Sequence, residues 1–130
     1  MTNESSDLPT LEEVLRKINE SVDDFASVPA RTASDKGAFD DYPIHKVAIW
    51  GDLAAAQVLL NNGANPNSAG EDGDTPLHRA ISGGHSSMVQ LLIANGADPE
   101  IENRYGSTPR NDAERLGNEQ IVAAIKVPKH

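Results

Sequence analysis

Apolar positions along the chain fall into short runs with helical spacing, and the runs recur at a fixed interval. In the centre, Leu77, Ala80 and Ile81 form a short apolar face, and Met88, Val89, Leu91, Leu92 and Ile93 form a second, longer one. Between them stands Gly83-Gly84, and after the second comes Asn95-Gly96. Glycine readily takes the left-handed backbone that ends a helix, so each face predicts its own helix. Thr75-Pro76 predicts the start of the first helix. A threonine hydroxyl caps free backbone amides, and proline in the first turn costs no hydrogen bond. Leu53, Ala56, Val58, Leu59 and Leu60 predict an equivalent second helix upstream, and Ile121, Val122 and Ile125 another downstream.

The interval is 33 residues. Gly51, Gly84 and Gly117 keep it, as do Pro43, Pro76 and Pro109, and so do the pairs His45/His78, Leu59/Leu92, Gly63/Gly96, Gly73/Gly106 and Thr75/Thr108. Each unit therefore reads as helix, turn, helix, followed by a polar connection with a turn at Asp72-Gly73-Asp74 or its equivalent. No such unit buries both its apolar faces alone. Stacked neighbours make one continuous core, with atypical units at the ends. We divide the chain into residues 39–71, 72–104 and 105–126, the last a C-terminal cap. Ahead of them, Thr10-Leu11-Glu12-Glu13 is a capping-box signature. Leu11, Val14, Leu15, Ile18, Val22 and Phe25 continue it with helical spacing. An amphipathic helix over residues 10–26 is expected to cover the open side of the first unit, with docking of a partner as the alternative role. Residues 27–38 read as a loop and 1–7 as disordered.

Asp72-Gly73-Asp74-Thr75-Pro76-Leu77-His78, Gly84-His85 and Asn95-Gly96-Ala97-Asp98 closely resemble the ankyrin repeat. The outer units depart from it. Tyr42-Pro43-Ile44-His45 lacks the capping threonine, and Thr108-Pro109-Arg110-Asn111 lacks the leucine and the histidine. The resemblance implies an all-α ankyrin-repeat α-solenoid, its helix-turn-helix units joined by hairpin-like loops. His45 and His78 would then tie helix ends together by hydrogen bonds. Hairpin tips and first helices would line a concave surface, and the residues variable among ankyrin proteins lie there. In this chain those positions are Phe39, Asp41, Ile49 and Trp50 in the first unit, and Glu71, Asp72, Asp74, Ser82 and Gly83 in the second. In the third they are Arg104, Tyr105, Ser107, Arg115 and Leu116. The implied function is non-catalytic binding of a partner protein. Phe39, Ile49, Trp50 and Tyr105 are the expected apolar anchors, and Asp41, Glu71, Asp72 and Asp74 an acidic rim.

Charge and composition narrow the choice. The net charge is −9, with ten acids against four bases in residues 1–41 and ten against seven in the remainder. That balance repels nucleic acid and favours a basic protein partner. A dedicated inhibitor, similar to the small bacterial ankyrin proteins that neutralise a basic toxin, is the alternative to an adaptor. With no cysteine, disulfides and thiolate metal sites are excluded. The histidines lack zinc-motif spacing, and Glu71-Asp72-Gly73-Asp74 lacks the final glutamate of a calcium loop. There is no nucleophile elbow and no phosphate-binding glycine loop, so no enzyme and no cofactor are expected. Neither a signal-peptide pattern nor a membrane-length apolar run stands out, which leads to an expected cytoplasmic protein. A monomer is expected, with self-association through the convex side or an end repeat as the alternative.

Overall fold

The computed structural model describes residues 8–21 and 29–126. The expectations for residues 1–7 and for Val22 and Phe25 lie outside the described residues. Seven α-helices are described: α1 Leu11–Ser21, α2 Pro43–Trp50, α3 Leu53–Asn61, α4 Pro76–Ser82, α5 Ser86–Ala94, α6 Pro109–Leu116 and α7 Glu119–Lys126. A short 3-10 turn, Glu71–Gly73, lies between α3 and α4, and no strand occurs among the described residues.

Helix starts follow the capping chemistry. Thr10 and Glu13 close the expected box: the Glu13 N–H donates to Thr10 Oγ1 at 3.1 Å, and the Thr10 N–H to Glu13 Oε1 at 2.8 Å. The Thr75 and Thr108 hydroxyls accept from the amides three residues on, opening α4 and α6. Tyr42 has no such hydroxyl, but its N–H still donates to His45 Nδ1 at 3.0 Å. Asp52 caps α3 by accepting from the Ala55 N–H at 3.1 Å.

The helices form two layers. The first helices stack α2 on α4 and α4 on α6, and the second helices stack α3 on α5 and α5 on α7. Each unit closes on itself through the α2–α3, α4–α5 and α6–α7 contacts. Helix α1 packs on α3 and α2, the place an earlier unit would fill, and buries Val14, Leu15 and Ile18 there. The shared core runs through Ile44, Val47, Leu59, Leu77, Ile81, Met88, Leu92 and Ile121, all less than 2% exposed. Burial of each such side chain stabilises by about 1.5–3 kcal/mol. This is an all-α repeat fold. Leu53 corrects the sequence reading. It is 42% exposed, because it shares an outward face with Gln57 and Asn61 at helical spacing, while Ala55, Ala56, Val58 and Leu59 face the core.

Three equivalent turns lead into the first helices of the units. The Gly37, Gly70 and Asn103 N–H groups donate to the carbonyls of Asp41, Asp74 and Ser107 at 2.8–2.9 Å. The fourth residue of each turn is left-handed, with φ of 76° at Asp40, 73° at Gly73 and 77° at Gly106. Asp40 holds that shape without glycine, which aspartate tolerates better than most residues.

Histidines tie successive units. His45 Nε2 lies 3.0 Å from the Ser68 carbonyl and 2.9 Å from that of Asp74, while Nδ1 accepts from Tyr42. His78 repeats this, accepting at Nδ1 from the Thr75 N–H and reaching the Ser107 carbonyl at 2.9 Å. Both arrangements require the proton on Nε2. Asn111 stands in the third unit. Its Oδ1 accepts from the Thr108 N–H at 3.2 Å, which preserves the near half of the histidine's role.

Candidate interaction surface

The turn tips and first helices carry the side chains that the sequence singled out, in rows set by the 33-residue interval. At the tips, Phe39, Asp72 and Tyr105 occupy one row and Glu71 and Arg104 share the row beside it. Second and third tips are linked directly. The Arg104 N–H donates to the Asp72 carbonyl at 2.8 Å, and the Tyr105 hydroxyl and Arg104 Nη1 both lie 3.3 Å from Asp72 Oδ1. Asp72 itself is left-handed, with φ 63°. At the far ends of the first helices, Ile49, Ser82 and Arg115 form one row and Trp50, Gly83 and Leu116 the next.

Exposure sorts these residues. Phe39 is 56% exposed, Tyr105 71% and Leu116 52%. Glu71, Ser82, Gly83, Arg104 and Arg115 are exposed, whereas Ile49, Asp72, Asp74 and Ser107 are half-buried. Between Ser82-Gly83-Gly84 and Leu116 runs a cleft of about 250 Å³, floored by the buried Ile81, Ala113 and Ile121.

Asp41 departs from its expected place on the acidic rim, being 1% exposed. Arg79 grips it with two bonds, Nη1 to Oδ2 at 2.8 Å and Nη2 to Oδ1 at 3.0 Å. The Glu71 N–H donates to Oδ1 at 2.9 Å, and Lys46 Nζ lies 3.1 Å from Oδ2. Burial alone would raise this carboxyl, but the guanidinium and the Glu71 amide outweigh it and hold Asp41 below the usual carboxylate range. Asp74 is drawn into the same cluster. Its Oδ2 accepts from Arg79 Nε at 3.2 Å and its Oδ1 from Asn103 at 3.0 Å. Two of the four expected rim carboxylates are thus neutralised inside the stack. Sequence reasoning passed over Lys46 and Arg79. Their signal was present, since Asp41/Lys46 and Asp74/Arg79 are the same acid–base pair at the same spacing in consecutive units.

Trp50 is also not a free-standing anchor. Its ring is partly buried against the core, with Lys17 Nζ of α1 at 5.6 Å from the ring centroid. Lys17 also pairs with Asp52 Oδ2 at 2.9 Å, so one ammonium latches α1 to both helices of the first unit. Neighbouring Ile49 contributes through its carbonyl, 2.9 Å from His85 Nε2. The His85 ring leaves no space for a Cβ at Gly51, where an added carbon would sit 2.6 Å from Nδ1.

The surface therefore has three parts: apolar on the first unit, acidic and small on the second, and basic with an aromatic tip on the third. No group of three or more acidic or histidine side chains suited to a metal ion occurs among the described residues. None of the described helices is long and apolar enough to cross a membrane.

The family model for ankyrin repeats, described as present in many copies, matches residues 44–93. No curated protein matches the chain. Ankyrin repeats are in general protein–protein interaction modules and typically non-catalytic. Residues 44–93, which run from α2 into α5, are thus ankyrin repeats, and the same helix-turn-helix unit recurs beyond them in α6 and α7.

Proposed function

We propose that the chain is a non-catalytic binding module that holds a partner protein across its turn tips and the ends of its first helices. One observation carries this reading. Of the five large hydrophobic side chains exposed among the described residues, Phe39, Tyr105 and Leu116 lie on this one face, bordered by Glu71, Arg104 and Arg115. Exposed aromatic and aliphatic groups ringed by charge are the usual makeup of an interface hot spot. The 250 Å³ cleft beside Leu116 adds a notch of side-chain size with both polar and apolar walls.

The charge pattern favours a partner with both signs at its contact. Glu71 and the tip of Asp72 attract a base, and Arg104 and Arg115, each 69% exposed, attract an acid. The inhibitor reading for a basic toxin loses part of its support, since Asp41 and Asp74 are spent on Arg79. Trp50 is assigned to support rather than to direct contact.

The test is affinity purification with the full chain, followed by quantification of each retained protein. A partner held by the wild type is expected to fall at least tenfold with Tyr105→Ala or Phe39→Ala, at unchanged melting temperature, and only a few-fold with Lys17→Ala. Retention of the same partner by both tip variants would refute the assigned face.

A further inference from the structure

We infer that the opposite side of the stack, the outward surface of α3 and α5, is a self-association face on which a second copy of this chain seats. The observation starts in the sequence. About a quarter of the chain is charged, 24% of residues, yet no Asp, Glu, Lys or Arg occurs in residues 53–70 or 80–97. Allowing for the 33-residue interval, the two stretches coincide over 53–64 and 86–97, and they include all of α3 and α5. A solvent-facing helix ordinarily carries charge on its outer side. Here the outward positions are Leu53, Ala54, Gln57, Ser87, Gln90 and Leu91, lining one shallow depression. Leu53 is 42% exposed at its rim, and Leu8, 37% exposed, closes it from the N-terminal side. The bordering charges Lys17 and Asp52 neutralise each other at 2.9 Å.

Charge argues for a second copy as the occupant. Each chain carries −9, so two copies repel through most approaches. In a two-fold pair the same patch meets itself, and any charged group near the axis faces its own sign. A surface without charge escapes that repulsion. Glutamine and serine each offer both a donor and an acceptor, so such a face satisfies itself when paired. The exposed Leu53 gains apolar cover in the same step. Two helices of nine residues present a strip about 13 Å long and 20–25 Å wide. That places the contact below the standard size of specific interfaces, so pairing is weak and reversible. This departs from the monomer expected from sequence.

Sedimentation equilibrium of the full chain from about 10 μM to 1 mM tests it. The wild type is expected to shift from monomer to dimer across that range. The shift strengthens with added salt, because salt screens the net repulsion and no ion pair holds the contact. Gln57→Glu with Gln90→Glu places four like charges in the pair and weakens it at least tenfold, while the melting temperature stays within a few degrees. Tyr105→Ala, on the other face, leaves pairing unchanged, which separates this result from that of the partner-binding test. A wild type that remains monomeric at 1 mM overturns the inference. So does a dimer that persists in the double variant, or one that is lost with Tyr105→Ala.

Discussion

Replacing Arg79 by methionine probes the ion cluster that spans the first two units. The substitution keeps an unbranched apolar stem and removes the guanidinium. Asp41, 1% exposed, then loses bonds of 2.8 and 3.0 Å and keeps only Lys46 at 3.1 Å and the Glu71 N–H at 2.9 Å. Leaving a buried charge without its partner costs about 3–5 kcal/mol. The two surviving contacts place Arg79→Met at the low end or just below, about 2–3 kcal/mol. For a domain of this size that lowers the melting temperature by roughly 6–15 °C. Urea unfolding followed by circular dichroism measures it, together with Asp41→Asn and the double variant. The two residues touch, so the double variant should be less damaged than the sum of the singles by about 1 kcal/mol or more. The deficit also depends on pH. The Asp41 carboxyl is held below its ordinary value, so its contribution is complete above the unfolded value near 4 and fades as pH falls through the folded one. Arg79→Met within about 0.5 kcal/mol of wild type at pH 7, or strict additivity in the double variant, would refute this account.

Two further outcomes follow from the same contacts. Burial pushes His45 below its ordinary value, an effect that the nearby Asp41 charge only partly opposes. The neutral form is therefore favoured in the folded state. Its contribution is complete above the unfolded value of about 6.5 and is lost as pH falls below it, at no more than about 1.4 kcal/mol per pH unit. His45→Asn, which copies Asn111 of the third unit, should flatten that slope between pH 7.5 and 5.5 in urea titrations, and an unaltered slope would assign it elsewhere. Gly51→Ala and Gly117→Ala make a matched pair, since φ is 75° and 74°. Alanine at Gly117 meets open space and should cost only the left-handed penalty of about 1–2 kcal/mol. Gly51→Ala also collides with the His85 ring and should cost at least about 1 kcal/mol more, so equal melting temperatures would count against the packing described.

Much of the fold was legible because its determinants are local and repeated. Threonine before proline, glycine after the apolar run and the histidine three residues beyond the cap each act within a few bonds of themselves. Their recurrence at one interval is visible without coordinates. Helical spacing alone predicted the apolar stripes of α5 and α7: Met88, Val89, Leu92, Ile121 and Ile125 are buried, while Leu91, Ile93 and Val122 are only partly buried against the core. Leu53 was misread because a helix's first residue has no upstream turn to fix its phase. Asp41 was misread for a different reason. Turn position marks a residue as variable and near the surface, but whether it faces solvent depends on what the next unit brings to it.

The sequence by itself determined the helices, the turns and the fact of stacking, because backbone capping and hydrophobic period are short-range properties. Only the tertiary structure decided which charges are available. Arg79 stands 38 residues from Asp41 and 5 from Asp74, and it neutralises both because stacking brings consecutive units together. Lys17, 35 residues from Asp52, likewise turns Trp50 from an expected contact into part of the seam under α1. Coulomb attraction falls with distance through space and is indifferent to distance along the chain, so these pairings became visible only once the units were stacked.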